Sequence, residues 1–152
     1  YLVAALPPYL SLNISNGEPM VPVLEKTITQ VFTASDDDIV RIDFFQGTYG
    51  RMNTVPLSVT ISEIGTGREI SHTVFDTSRF RNNTWISIPV KEGDLIEGNQ
   101  YRIDFQCPDA EISDCICLYR SRDKLDESTY YMESEVRQEY NLCFRLYEKN
   151  RN

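Results

Sequence analysis

Three residues at alternate positions in the stretch GTYGRMNT carry side chains that could bind a ligand. They are Tyr49, Arg51 and Asn53: an aromatic ring, a cation and an amide. Such a mixture suits a sugar, because a pyranose ring packs on an aromatic face while planar polar groups bond adjacent hydroxyls. The same residues could instead hold a loop, with Arg51 and Asn53 bonded to backbone and Tyr49 packed over a sheet end. The residues of this stretch alone favour neither interpretation over the other.

The single tryptophan, Trp85, gives a second candidate binding position, close to Asn83. In the stretch TWISIPV, Trp85 alternates with Ile86 and Ile88, so it should face away from the core side of a strand. An outward tryptophan can contact a ligand or can lie under a covering loop. Asn83 and Trp85 are therefore candidate ligand-binding residues with both interpretations open.

Three consecutive carboxylates, Asp36, Asp37 and Asp38, are the best candidates for a metal site. Calcium takes oxygen ligands from acidic loops of this kind, but the spacing is not that of an EF-hand. A solvated turn that discourages pairing at a strand edge is the simpler interpretation. We expect no cofactor, with calcium at these three residues as the alternative.

The residues that carry out catalysis are scarce in this chain. It has one histidine, His72, and it lacks a nucleophile elbow, a phosphate-binding loop and a dinucleotide fingerprint. Its four cysteines, Cys107, Cys115, Cys117 and Cys143, are too few for a disulfide scaffold. Buried thiols, or one bridge between Cys107 and Cys115, explain them. We expect that the domain is not an enzyme.

The composition and charge of the chain argue against two classes of partner. The 152 residues include 15 Lys and Arg against 23 Asp and Glu, giving a formal net charge of −8. Such a balance repels a phosphate backbone, and the densest cation cluster, in YRSRDK, is followed by acids. No stretch reaches the roughly 18 to 20 apolar residues that span a bilayer. We expect no nucleic-acid partner and no membrane insertion by this stretch.

Strict alternation of apolar and polar residues predicts the fold class. In PLSVTISEI, for example, Leu57, Val59 and Ile61 share one face of a strand. Similar runs are separated by turn sequences such as SDDD, GTYG, KEGD and EGN, with no room for crossover helices. The pattern predicts an all-β, antiparallel sandwich of about eight or nine strands with little helix. For residues 128–141 it predicts a loop or hairpin that carries an insertion.

The first residues of the chain have a different character from the rest. Residues 1–26 contain Pro7, Pro8 and Pro19, and they have the composition of an N-terminal arm or linker. The chain begins at Tyr1 rather than at Met, so we expect a longer parent polypeptide. Residues 27–152 are then expected to form the single sandwich domain.

Several of these stretches together resemble a known family. The order IDFFQGTYGRMNT, PLSVTI, NNTWISIPV, GNQYRIDFQCPDA and ICLYRS is similar to a bacterial, jelly-roll-like β-sandwich module. Modules of that family accompany glycosyltransferases and other proteins of cell-surface polysaccharide biosynthesis. The resemblance covers about residues 27 to 121, and its most distinctive element is T-Y-x-R-x-N at 48–53. The chain departs from it in a long acidic tail after Asp123 and in Cys107, where serine is common.

The resemblance implies a non-catalytic accessory domain of a bacterial glycosyltransferase or surface-polysaccharide protein, with carbohydrate as the ligand. Matching the motifs residue by residue points to Thr48, Tyr49, Arg51 and Asn53, with Asn83 and Trp85 from the second motif. The alternative is a structural or protein-interaction module that orients a neighbouring catalytic domain and binds no sugar.

Overall fold

The computed structural model describes residues 6–15 and 20–150. Within these residues the chain forms thirteen β-strands, one 3₁₀ turn at Thr77–Arg79 and no α-helix, which confirms the predicted all-β class. The strands are β1 Tyr9–Ile14, β2 Met20–Pro22, β3 Ile28–Thr33, β4 Ile39–Gly47, β5 Leu57–Glu63, β6 Glu69–Phe75, β7 Thr84–Pro89, β8 Gln100–Gln106, β9 Cys117–Ser121, β10 Tyr130–Glu133, β11 Val136–Arg137, β12 Asn141–Leu142 and β13 Phe144–Glu148.

The strands form two antiparallel sheets. The first sheet has seven strands and contains the order β1-β13-β4-β7, with β2, β9 and β12 attached. The second sheet has six strands in the order β11-β10-β3-β8-β5-β6. The chain passes between the sheets from β3 to β4, from β4 to β5, from β6 to β7 and from β7 to β8. This is the strand arrangement of a jelly roll, with β9 to β12 inserted before its last strand.

The core lies between the two sheets and is built by the inward faces of the alternating strands. Phe44 on the first sheet meets Phe105 on the second edge to face, with ring centroids 5.0 Å apart. Phe32 and Phe144 pack across the same interface at 6.2 Å. Burying these rings removes large apolar areas from water and favours edge-to-face contacts, so the two sheets are held face to face.

One segment differs from the sequence-based expectation, and another agrees with it. The expected arm at 1–26 is not separate from the sandwich where it is described. β1 pairs with β13, β2 pairs with β9, and Ile14, Val21 and Val23 belong to the core. The apolar alternation of YLSLNI outweighs the nearby prolines, because burial of Ile14 offsets the cost of ordering the strand. The insertion at 128–141 contains the hairpin β10–β11, as expected.

Candidate functional site

Three aromatic side chains lie side by side on the outward face of the first sheet. Phe45 of β4 is paired in register with Trp85 of β7, and their ring centroids are 5.0 Å apart. On its other side Phe45 packs against Tyr119 of β9, also at 5.0 Å. All three side chains are half-buried. We call Phe45, Trp85 and Tyr119 the aromatic face.

Arg145 of β13 covers part of this face. Its guanidinium carbon lies 3.8 Å from the centroid of the Trp85 ring, a cation–π contact. Its Nε donates a 3.0 Å hydrogen bond to Asn13 Oδ1 of β1. Within residues 6–15 and 20–150, neither terminal nitrogen of Arg145 has a hydrogen-bond acceptor, and the side chain has no carboxylate partner. The guanidinium is therefore oriented by the protein but not neutralised by it.

Asn83 stands at the Tyr119 end of the aromatic face. It takes a left-handed backbone conformation with φ of 57°, which asparagine tolerates better than most residues. Its Oδ1 accepts a 2.5 Å hydrogen bond from the Tyr119 hydroxyl. Its Nδ2 has no acceptor in the described part of the chain, and neither has Trp85 Nε1. Both groups are therefore available as donors to a ligand.

Gly47 makes this close packing sterically possible. A Cβ atom at position 47 would come within 3.0 Å of Cys117 Sγ, 3.1 Å of Asn83 Oδ1 and 3.2 Å of Tyr119 Cε2. Those approaches are shorter than ordinary contacts between such atoms, so a side chain here would displace Asn83 or Tyr119. The glycine at the end of β4 thus allows three elements to converge.

Tyr49 links the GTYGRMNT turn to this cluster. It is 39% exposed and has φ of 57°. The Cys117 thiol, beside Gly47, is near enough to its hydroxyl to influence the pKa of Tyr49. Burial raises the pKa of Tyr49 to about 12, and the Cys117 and Cys115 sulfur atoms add to the rise. The hydroxyl is therefore neutral at physiological pH and can act as a donor or as an acceptor.

Arg51 and Asn53 have a different environment. The terminal Nη2 of Arg51 donates to Ile112 O at 2.7 Å and to Cys115 O at 3.1 Å, and its Nε donates to Asn53 Oδ1 at 2.9 Å. Asn53 Nδ2 donates in turn to Thr48 O, and the residue is only 1% exposed. These contacts tie the turn to the loop before β9. The geometry favours the loop-holding interpretation for this pair.

The far end of the same sheet face carries a second stacked arginine. The guanidinium carbon of Arg41 lies 3.6 Å from the Tyr147 ring centroid. Unlike Arg145, Arg41 is paired with a carboxylate: its Nε lies 3.1 Å from Asp43 Oδ1. Asp43 is buried at 4% exposure, so its charge is satisfied mainly by this arginine.

Two of the three carboxylates proposed for calcium accept hydrogen bonds from backbone N–H groups of the surrounding loops. Asp36 Oδ1 accepts from Asp38 N at 2.7 Å, and Asp37 Oδ1 accepts from Glu97 N at 2.6 Å. Among the residues that the structure describes, no group of three or more His, Cys, Asp or Glu side chains is arranged to hold a metal. Calcium at Asp36, Asp37 and Asp38 stays a prediction.

The cysteines are buried free thiols, so the alternative of a bridge between Cys107 and Cys115 is not seen. Burial raises the pKa of all four, to about 11 for Cys107 and about 12 for Cys143. Protonated thiols are weak nucleophiles, so at neutral pH these groups behave as small core side chains.

A cleft of about 400 Å³ opens on the insertion between residues 124 and 141. Tyr130 and Tyr140 line it, and the guanidinium carbon of Arg137 lies 4.4 Å from the Tyr130 ring centroid. Arg137 is neutralised by Glu127 at 3.3 Å. Its cationic side chain is thus engaged within the protein, in contrast to Arg145.

The structure brings together some of the candidate residues and separates others. Asn83 and Tyr49 lie near the Tyr119 end of the aromatic face, and Trp85 is the ring at its other end. Arg51 and Asn53 instead lie within the turn. The sequence-based candidates did not include Phe45, Tyr119 or Arg145. Phe45 gave a usable signal, because it occupies an outward position in the alternation of β4. Tyr119 and Arg145 gave no such signal, because only the order of the strands in the sheet places them beside Phe45 and Trp85.

No family model matches the chain, and no curated protein gives a significant match. Among residues 6–15 and 20–150 the structure has no helix of the length and apolar character needed to cross a membrane.

Proposed function

We propose that the domain binds carbohydrate on the aromatic face and does not itself catalyse a reaction. The observation that carries the proposal is the contiguous row of half-buried rings Phe45, Trp85 and Tyr119, bordered by donors that have no acceptor among the described residues. Such a row presents apolar surface for the C–H face of a sugar ring. The free donors at Asn83 Nδ2 and Trp85 Nε1 are suited to hydroxyl oxygens.

The position of the site supports a binding role. A sheet forms a rigid platform, and all three rings are fixed by their neighbours in the register of β4, β7 and β9. A prearranged surface loses little conformational entropy when a ligand binds. An open face of this kind suits a segment of a chain-like ligand better than a small molecule that must be enclosed.

The resemblance supplies the wider context of the proposal. The domain would be an accessory module of a bacterial glycosyltransferase or of a surface-polysaccharide protein, holding the glycan near a catalytic domain. The T-Y-x-R-x-N motif then divides into two roles. Tyr49 borders the site, while Arg51 and Asn53 stabilise the turn that places it.

A panel of immobilised bacterial and plant glycans tests the proposal. We expect the purified domain to bind a subset of the panel, and Trp85→Ala to weaken that binding by about tenfold or more, as loss of a large aromatic contact does. Tyr130→Ala is the matched control, since Tyr130 is likewise an aromatic ring stacked with an arginine but lies on the second sheet. Urea unfolding of both variants checks that they fold.

Three results would contradict the proposal. They are the absence of any bound glycan, equal binding by folded Trp85→Ala, and a loss confined to Tyr130→Ala. The last result would place the site in the cleft at residues 124–141.

A specific observation favours a second candidate, a protein-interaction module. Met52 is 77% exposed and Ile112 is 65% exposed, and Arg51 holds their two loops together. Exposed apolar side chains on two loops that are joined by an arginine are typical of a docking contact. The glycan panel separates the two candidates, because a docking module without sugar binding leaves every glycan unbound.

A further inference from the structure

We infer that the sugar recognised on the aromatic face carries a carboxylate, and that Arg145 binds this group. The inference rests on the proposed function and specifies its ligand class. It follows from a comparison of Arg145 with two other stacked arginines, Arg41 and Arg137. Arg41 and Arg137 each have a carboxylate partner, at 3.1 Å and 3.3 Å, whereas Arg145 has none among the described residues.

The geometry of Arg145 is that of a prepared anion receptor. The Trp85 ring fixes the plane of the guanidinium, and Asn13 fixes its Nε. The two terminal nitrogens have no hydrogen bond to the part of the chain that the structure describes, and these are the atoms that bind a carboxylate in a bidentate pair. Because the side chain is already ordered, binding costs little additional rotamer entropy.

The other polar groups around the face point to the same ligand class. Asn83 Nδ2 and Trp85 Nε1 are both hydrogen-bond donors without an acceptor among the described residues. A ligand that bonds them must therefore supply acceptor oxygens. The nearest acid across the sheet, Asp43, is opposite Arg145 in register, but its carboxylate is paired with Arg41. The face is therefore locally cationic on a chain whose net charge is −8.

The overall negative charge does not prevent this recognition. At physiological salt the Debye length is about 8 Å, so exposed carboxylates elsewhere on the surface are largely screened at the site. Contact within hydrogen-bond distance of an unpaired guanidinium then dominates the local interaction. An acidic glycan also gains the ring contacts at Phe45 and Tyr119 that a free carboxylate lacks.

The test compares acidic glycans with their neutral forms. Oligogalacturonate, hyaluronan and alginate fragments, and any glycan bound on the panel that carries a carboxylate, are each paired with a carboxyl-reduced form of the same length. We expect the domain to bind the acidic form of at least one pair roughly ten- to a hundredfold more tightly. This preference should shrink as salt rises. Free galacturonate and free acetate should bind far more weakly.

Variants of two arginines test which residue causes the preference for acidic glycans. Arg145→Gln should abolish it, and Arg145→Lys should retain only part of it, since a lysine keeps the charge but not the planar pair of donors. Arg137→Gln, which removes an equal charge from the second sheet, should leave it unchanged.

The inference is overturned if neutral and reduced glycans bind as tightly as the acidic forms, or if folded Arg145→Gln keeps the preference. In either case glycan binding that depends on Trp85 leaves the proposed function standing. If no glycan binds at all, the inference and the proposed function both fail. Should Arg145→Gln not fold, the comparison of acidic and neutral forms on the unmodified domain, with its salt dependence, still decides the matter.

Discussion

At the scale of single residues, Arg51 and Arg145 show how the surroundings of one side-chain type determine its role. Arg51 donates to Asn53 and to two carbonyls, so its hydrogen-bonding capacity is largely used within the loop. Among the described residues, Arg145 donates a hydrogen bond only to Asn13 and keeps two nitrogens open. A bonded guanidinium stabilises a loop, whereas an open and oriented one can bind an anion.

The role of Asn53 gives a prediction at this scale. Asn53→Ala removes the acceptor for Arg51 Nε and the donor to Thr48 O, both in a buried site. We expect it to lower the free energy of unfolding by about 1–3 kcal/mol, measured by urea denaturation, while glycan binding is retained.

Asn99→Ala is the control, because within residues 6–15 and 20–150 the Asn99 side chain makes a single long hydrogen bond of 3.4 Å. Asn99→Ala should lower the free energy of unfolding by less than Asn53→Ala does. Loss of glycan binding by an Asn53→Ala protein that is as stable as the unmodified one would place Asn53 in the binding site instead.

Sequence patterns could assign some of these residues and not others. The alternation around Trp85 predicted that its side chain leaves the core face, and the structure places it there. GTYGRMNT could not be divided into roles, because whether a side chain reaches ligand or backbone depends on the loop before β9, some 60 residues later. Arg145 has no local signal, since its importance comes from Trp85 and Asn13 on other strands.

At the scale of elements, β1 is where the expected structure and the observed one differ most. The prolines at 7 and 8 suggested an arm, yet β1 starts directly after them and pairs with β13 along most of its length. Proline is tolerated just before an edge strand, because there its missing N–H removes no ladder bond. The longer strands β4, β5 and β8 were recognisable because they combine clear alternation with flanking turns.

A substitution in β1 tests whether this strand is part of the folded unit. Ile14 is 1% exposed, so Ile14→Ala should lower the free energy of unfolding by about 2–5 kcal/mol through lost burial and a cavity. Ile112→Ala, at an exposed isoleucine, serves as control and should change it by less than about 0.5 kcal/mol. Equal, small effects of the two variants in urea denaturation would mean that residues 9–14 are a detachable arm.

At the scale of the whole molecule, the jelly roll creates the site by bringing distant segments together. Asn13, Phe45, Trp85, Tyr119 and Arg145 span almost the entire chain, and only the order β1-β13-β4-β7 with β9 attached makes them neighbours. Alternation predicts which way a side chain points but not which strand lies beside it. The class of the fold was therefore predictable, while the composition of the aromatic face was not.

The composition of the chain also gives the most direct test, since Trp85 is its only tryptophan and lies within the proposed site. Titration of the domain with the tightest-binding glycan of the panel should change the Trp85 fluorescence saturably, with the dissociation constant found by calorimetry. A ring that loses water on contact with a sugar shifts its emission, so the signal reports binding at this face alone. Calorimetric binding that leaves the Trp85 emission unchanged would contradict the account and place the ligand elsewhere.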